Sequence, residues 1–281
     1  MSSVMRIVAE GLRFPEGPVY VGNGEVVVAE MKGEAICRVS GSTLTRLGDC
    51  GGAPNGVAPG ANGEFYVANN GGLSAEGAGY WHAPRQFDGR VQRVAPSGEV
   101  TTVFDAFPGP APHRPNDLCF GPDGTLYVTD SGNWEDMRNI RAGSLVALGA
   151  QRWSVEIPAM PNGVAVAPDG RVFVTQTLTK KVLVVSDGET TPFAKLPGGM
   201  PDGLCFDADG NLYVCASFGN AVYVYSPDGS LAETLDTGPG TQPTNCCLGD
   251  GVLYVTLALT GQLAAFDLGV KAAAVHSGAI A

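Results

Sequence analysis

Residues 161–176 read PNGVAVAPDGRVFVTQ. An alternating apolar run enters an Asp169-Gly170 turn and a second alternating run leaves it, which is the sequence form of a tight two-stranded hairpin. The form recurs as PNDLCFGPDGTLYVTD at 115–130 and PDGLCFDADGNLYVCA at 201–216. Weaker copies are PEGPVYVGNGEVVVAE at 15–30, PNGVAPGANGEFYVAN at 54–69 and PTNCCLGDGVLYVTLA at 243–258. Successive copies start 39, 61, 46, 40 and 42 residues apart. A period of about 40–50 residues with four strands per unit marks propeller blades. The expected fold is therefore all-β, a six-bladed β-propeller of four-stranded blades, in a single domain over 1–281.

A third strand follows most hairpins, as at 181–186 and 221–226, and a fourth would precede the next Pro. Few residues remain after Leu268, so residues 6–12 are expected to supply a strand to the sixth blade and close the ring, leaving no long unpaired edge. A parallel β/α barrel needs a helix after every strand. The 40 Gly and 20 Pro leave almost no window for one. Two stretches break the period: 69–90, NNGGLSAEGAGYWHAPRQFDGR, and 131–141, SGNWEDMRNIR. Both follow a second strand. In a blade that loop shares a face with the loop entering the first strand, so both insertions are expected over the channel mouth.

Composition narrows the partners. With 17 basic and 28 acidic residues the net charge is −11, which disfavours nucleic acid and anionic membrane surfaces. A small molecule is the partner expected, and nothing fixes an oligomeric state. Residues 1–10, MSSVMRIVAE, lack the apolar run of a signal peptide, and no stretch is long and apolar enough for a membrane helix, so a cytoplasmic location is expected. Seven cysteines with no CxxC pair support neither a disulfide framework nor structural zinc. Cys119, Cys205 and Cys247, four residues after a repeat Pro, read as small core fillers.

The residue after each repeat Pro occupies one equivalent position at the entry of the inner strand: Glu16, Asn55, Asn116, Asn162, Asp202 and Thr244. Asn or Asp after Pro is an ordinary turn residue in one copy. Six polar side chains in register around one axis, two of them carboxylates, would repel without a counter-charge, which points to a cation. Hard oxygen donors suit Ca²⁺ or Mg²⁺.

FPEGPVY, HRPNDLCFGPDG, MPNGVAVAPDG, MPDGLCFDADGNLYV and TNCCLGDGVLYVT followed by LGVK resemble the gluconolactonase/senescence marker protein (regucalcin-like) family over essentially the whole chain. The resemblance implies a six-bladed propeller with one divalent cation at its axis, calcium first and zinc, manganese or magnesium after it, and lactone hydrolysis as the activity. Carried over by motif, Glu16, Asn162 and Asp202 match metal ligands, Asn116 lies at or near the metal, and Arg114 matches a substrate-contacting Arg. Asn55 has no assignment in the resemblance; the repeat alone places it at the axis, as an expected substrate contact. Asp202 is also the candidate general base or nucleophile, with metal-bound hydroxide as the other attacker. Arg114 would stabilise a developing oxyanion or anchor the substrate. The site therefore expects catalytic Asp202 and Arg114.

Three histidines, His82, His113 and His276, and no Gly-x-Ser-x-Gly elbow give little support to a triad hydrolase. Asp117 should point away from the axis by strand alternation, as a buried hydrogen-bonding carboxylate. Tyr80, Trp81, His82, Arg85 and Phe87 in one insertion, and Trp134, Met137 and Arg138 in the other, read either as rim packing or as an apolar lid with cationic handles. The lid would favour a lactone more apolar or aromatic than gluconolactone, with a carboxylate for the cationic handles. The alternatives are a phosphoester hydrolase or non-hydrolytic enzyme on the same metal, and a calcium-binding or interaction propeller without turnover.

Overall fold

A computed structural model describes residues 4–280. Residues 1–3, part of the leader reading, and 281 lie outside the described residues. Six four-stranded antiparallel sheets stand as blades around one axis. Their first strands, Pro15–Gly22, Pro54–Pro59, Pro115–Phe120, Pro161–Val166, Met200–Phe206 and Pro243–Gly249, begin at or beside the Pro of each repeat. Each packs against the first strands of the two neighbouring blades. Among the described residues the only helical turns are Met31–Gly33 and Thr177–Thr179, and no helix is long and apolar enough to cross a membrane.

The N-terminal strand closes the ring. Met5–Ala9 is the outermost strand of the sixth blade, with Met5 opposite Phe266 and Arg6 opposite Ala265. It ends earlier than residue 12 because Gly11 and Phe14 take φ of 84° and 59°, which turns the chain into the first blade.

Alternation divides the core into six layers, one between each pair of adjacent blades. Along Leu212–Ser217, Leu212, Val214 and Ala216 face the fourth blade and join Phe173 and Val182. Tyr213 and Cys215 face the sixth and join Cys246, Leu253 and Val255. A propeller strand is thus buried on both sides while keeping the two-residue period. All seven cysteines are free.

Residues 272–278 cross the lower end of the channel. Ala272, His276 and Gly278 bridge to Asp207, Phe120 and Gly60, on the fifth, third and second blades. No sequence pattern announced this plug, whose small residues belong to no repeat.

The insertion after Asn69 forms a hairpin, Leu73–Glu76 with Gly79–His82. The other turns on itself through Asp136 N–H to the Asn133 carbonyl at 2.9 Å and Asn139 N–H to the Asp136 carbonyl at 3.0 Å. At its root, Asp130 accepts the backbone N–H groups of Arg114 and Gly132 at 2.6 and 3.0 Å. Its other oxygen meets His113 Nδ1 at 2.8 Å. His113 is buried against the Phe107 ring, away from the channel mouth.

Leu212→Ala should cost about 2–5 kcal/mol in urea unfolding, because a fully buried interblade side chain leaves a cavity. Leu231→Ala, on an exposed outer strand, should change stability by less than about 0.5 kcal/mol. Equal losses would remove the interblade layers as the source of stability. The hydrogen bond to Asp130 raises the pKa of His113 above its ordinary value. That contribution is full below the unfolded pKa of about 6.5 and is lost as pH rises through the folded one. The advantage of wild type over His113→Gln in urea midpoint should therefore be larger at pH 5.5 than at pH 9, and an equal advantage at both would contradict the pairing.

Candidate active site at the channel mouth

Each first strand is irregular where it enters the blade. The pairing register slips between Pro115 and Leu118, Pro161 and Val164, Pro201 and Leu204, and at the equivalent points of the other three blades. Such a bulge re-aims side chains. Threonines of the second strands brace it in three blades. Thr129, Thr175 and Thr256 accept the N–H groups of Asp117, Gly163 and Asn245 at 3.1, 2.7 and 3.0 Å. Thr129 and Thr175 also donate to the carbonyls of Asn162 and Asp202 in the next blade. One hydroxyl therefore fixes both a bulge and the position of its neighbour.

The structure brings Glu16, Asn55, Asn116, Asn162, Asp202 and Thr244 together at the base of one cavity of about 340 Å³. All are buried except Asp202, which is half-buried and open to the cavity. Thr244 is pinned through its hydroxyl to the Pro15 carbonyl at 3.0 Å. Desolvation, then repulsion from Asp202 and Asp117, pushes the Glu16 carboxyl well above the usual carboxylate range. Desolvation and then Asp117 raise Asp202, against hydrogen bonds from Ser217 and Asn162. Among the described residues no Lys, Arg or His lines the cavity, and Asn55 Oδ1 is buried without a donor. Two uncompensated carboxylates and an orphaned amide oxygen are a donor set suited to a hard divalent cation.

The upper wall comes from both insertions and from a tier that the sequence reading missed. Tyr80 and Trp134 line it and meet edge to face, ring centroids 5.4 Å apart, with Tyr80 Oη donating to the Trp134 carbonyl at 3.3 Å. Met137 lies beside them. Phe14, Met160, Met200 and Gln242 complete the tier, each the residue immediately before a repeat Pro. That register was readable beside the ring itself. Met31, Leu178 and Phe218, from the ends of second strands, add to it.

Several expected substrate contacts are placed elsewhere. Trp81 is partly buried opposite Ser74 in the hairpin and is absent from the lining of the mouth, where Tyr80 stands instead. His82, Arg85 and Arg138 are exposed and absent from the lining. Phe87 packs on the rim, under the Arg90 guanidinium at 4.1 Å and against Gly52. Arg114 lies off the cavity. It pairs with Glu135 at 2.8 Å and donates to the Asn70 carbonyl at 3.1 Å, clasping the two insertions together. Asp117 is buried and hydrogen-bonded as read, but it points to the axis, because the bulge cancels the alternation that would have turned it away.

Residues 14–259 match the family model described as the SMP-30/Gluconolactonase/LRE-like region. A gluconolactonase of Zymomonas mobilis is 25% identical over 89% of this chain and 77% of its own length. An L-arabinolactonase of Azospirillum brasilense is 31% identical over 59% of each chain. Among solved structures, the calcium-binding protein regucalcin of Agrobacterium tumefaciens superposes with a TM-score of 0.78 at 17% identity, over 99% of this chain and 98% of its own. With repeat, blade order and family model in agreement over most of its length, the chain belongs to the SMP-30/gluconolactonase/LRE-like family.

Proposed function

We propose that the chain hydrolyses a lactone at the channel mouth with the help of one divalent cation. The observation that carries this reading is the ring of buried oxygens in which Glu16 and Asp202 face one axis without a cationic side chain on the cavity wall. The activities named for the two curated relatives support a cyclic ester as substrate, and the calcium-binding description of regucalcin supports Ca²⁺ as the first candidate. Glu16, Asn116, Asn162 and Asp202 would hold the ion, with the free Asn55 Oδ1 in the same ring. When bound, it polarises the substrate carbonyl as a Lewis acid.

The chain's own part follows from exposure and basicity. Asp202 opens to the cavity and accepts a proton from water. The water oxygen bonds to the carbonyl carbon, and the bond from that carbon to the ring oxygen breaks. The proton passes to the departing oxygen, which leaves an open-chain hydroxy acid. Arg114, tied to Glu135, acts in this reading by holding the insertions rather than by touching substrate.

The wall sets the preference among lactones. Four of the six methionines in the chain, Met31, Met137, Met160 and Met200, line the mouth together with Phe14 and Trp134. Thioethers and rings adapt to apolar groups. The ring of a sugar lactone would meet few partners there beyond Ser74, Thr177, Ser217 and Gln242. A substrate carboxylate would find no cationic side chain on the wall, so an uncharged alkyl or aryl lactone fits best. The same absence disfavours a phosphoester.

A lactone panel in a pH-indicator assay should show acid release that chelator abolishes and Ca²⁺ restores. Asp202→Asn should lower kcat by about a hundredfold or more. Glu16→Gln should weaken ion binding more than Asn55→Ala, since it removes formal charge. Silence across sugar, alkyl and aryl lactones, with Ca²⁺ bound, would favour a binding protein without turnover. For specificity, burial of an extra ring worth about 1–3 kcal/mol predicts roughly a tenfold to hundredfold higher kcat/KM for an aryl lactone than for gluconolactone. Trp134→Ala should narrow that ratio and Trp81→Ala should leave it unchanged. A wild type that prefers gluconolactone would overturn the preference.

A further inference from the structure

Below the ring, one side-chain contact crosses the axis of the channel. The position after each ring residue is Gly17, Gly56, Asp117, Gly163, Gly203 or Asn245. The two that are not glycine belong to the third and sixth blades, which stand opposite each other. Asn245 Nδ2 donates to Asp117 Oδ2 at 3.4 Å. The same oxygen accepts the Val164 N–H of the fourth blade at 3.2 Å, and Oδ1 accepts the Leu118 N–H at 2.9 Å. Both side chains are 6% exposed. Glycine makes their room: a Cβ on Gly56 would lie 2.5 Å from Asp117 Oδ1, and one on Gly203 would lie 2.0 Å from Asn245 Cγ.

Asp117 is therefore a third carboxylate at the axis, facing a separate lower cavity of about 130 Å³ rather than the mouth. It lies near enough to Glu16 and Asp202 to oppose the charge on both. A neutral side chain of the same shape would cross the axis without the cost of desolvating a charge. The charge is what needs a reason.

We propose that Asp117, held at the axis by Asn245, is a positioning residue for the cation ring: its carboxylate draws the divalent ion into the ring without ligating it. This rests on the metal reading given above. Two ligand carboxylates already balance a divalent ion, and a third charge beneath them in a poorly screened interior deepens the attraction. Its contacts also hold the first strands of the third, fourth and sixth blades, which carry Asn116, Asn162 and Thr244.

The test is calorimetric titration with Ca²⁺ of wild type, Asp117→Asn, and the exchange variant Asp117→Asn with Asn245→Asp, with folding checked by circular dichroism. Asp117→Asn should bind Ca²⁺ on the order of tenfold more weakly. The exchange variant returns one carboxylate to the axis from the opposite blade and should recover binding to within about threefold of wild type. A role confined to accepting the Val164 N–H predicts no such recovery, because position 117 still lacks its carboxylate. Wild-type affinity in Asp117→Asn, or an exchange variant no better than Asp117→Asn, overturns the proposal while leaving the metal reading intact. A wild type that takes up no divalent ion overturns both. If Asp117→Asn does not fold, the exchange variant decides alone, and binding about tenfold below wild type overturns the proposal.

Discussion

Six first strands packed side by side around one axis leave too little room for six ordinary side chains at the same level, and the site is built from the way that crowding is relieved. At four of the six positions below the ring the chain has no side chain at all. A Cβ on Gly163 would lie 2.5 Å from the Asp202 carbonyl. The bulge that accompanies each of these entries turns the preceding residue, the one after Pro, toward the axis. Steric exclusion at one level thus produces convergence at the next. Glu16 and Asp202 meet because the backbone beneath them cannot spread side chains in any other way.

That convergence opposes stability. Each carboxylate is held above its ordinary pKa by burial first and by its neighbours second, so folding without a counter-ion places repelling groups in a poorly solvated space. The six interblade layers supply the compensation, with side chains such as Leu145, Leu212 and Leu253 fully buried. An ion that binds only the assembled ring adds its binding free energy to folding. Stability and site are therefore separated in space, with apolar layers between blades and polar strain along the axis.

The fold was legible because one device is repeated six times, and a hairpin with a Pro before it and an Asp-Gly or Asn-Gly turn inside it tolerates little ambiguity of register. The ring was legible for the same reason: Glu16, Asn55, Asn116, Asn162, Asp202 and Thr244 share one place in the repeat. Asp117 was misplaced because strand alternation was applied across a bulge, which periodicity does not reveal. Its partner Asn245 sits in the weakest copy, where the motif blurs into PTNCCLG. In the insertions there is no repeat to fix which face a residue takes. Tyr80 and Trp81 are adjacent and chemically alike, and only the folded hairpin, in which Tyr80 meets the Trp134 ring, assigns the mouth to the former. Arg114 drew a catalytic reading from its place beside Pro115. Its commitment to Glu135 depends on a residue twenty-one positions away in an insertion of no regular structure.

The wall of the mouth shows by its backbone that its side chains are retained at a cost. Phe14, Met160, Phe218 and Gln242 hold φ of 59°, 66°, 60° and 52°, in the left-handed region. A residue with a Cβ occupies that region at a cost of roughly 1–2 kcal/mol, which glycine avoids. All four line the cavity above the ring. Elsewhere Asn23, Glu34, Ala159, Lys180, Asp187, Asn220 and Asp250 share that region, while turns such as those at Gly170 and Gly210 in the hairpins on the far side of the blades use glycine. At the mouth the conformation is held by Phe, Met and Gln, whose large side chains stand over the oxygen ring despite the strain. Part of the chain's conformational cost thus falls on residues that would meet a substrate, and three of these four are apolar. Backbone and side-chain chemistry thus agree on one arrangement, large and mostly apolar side chains set over a ring of oxygens whose chemistry suits a cation.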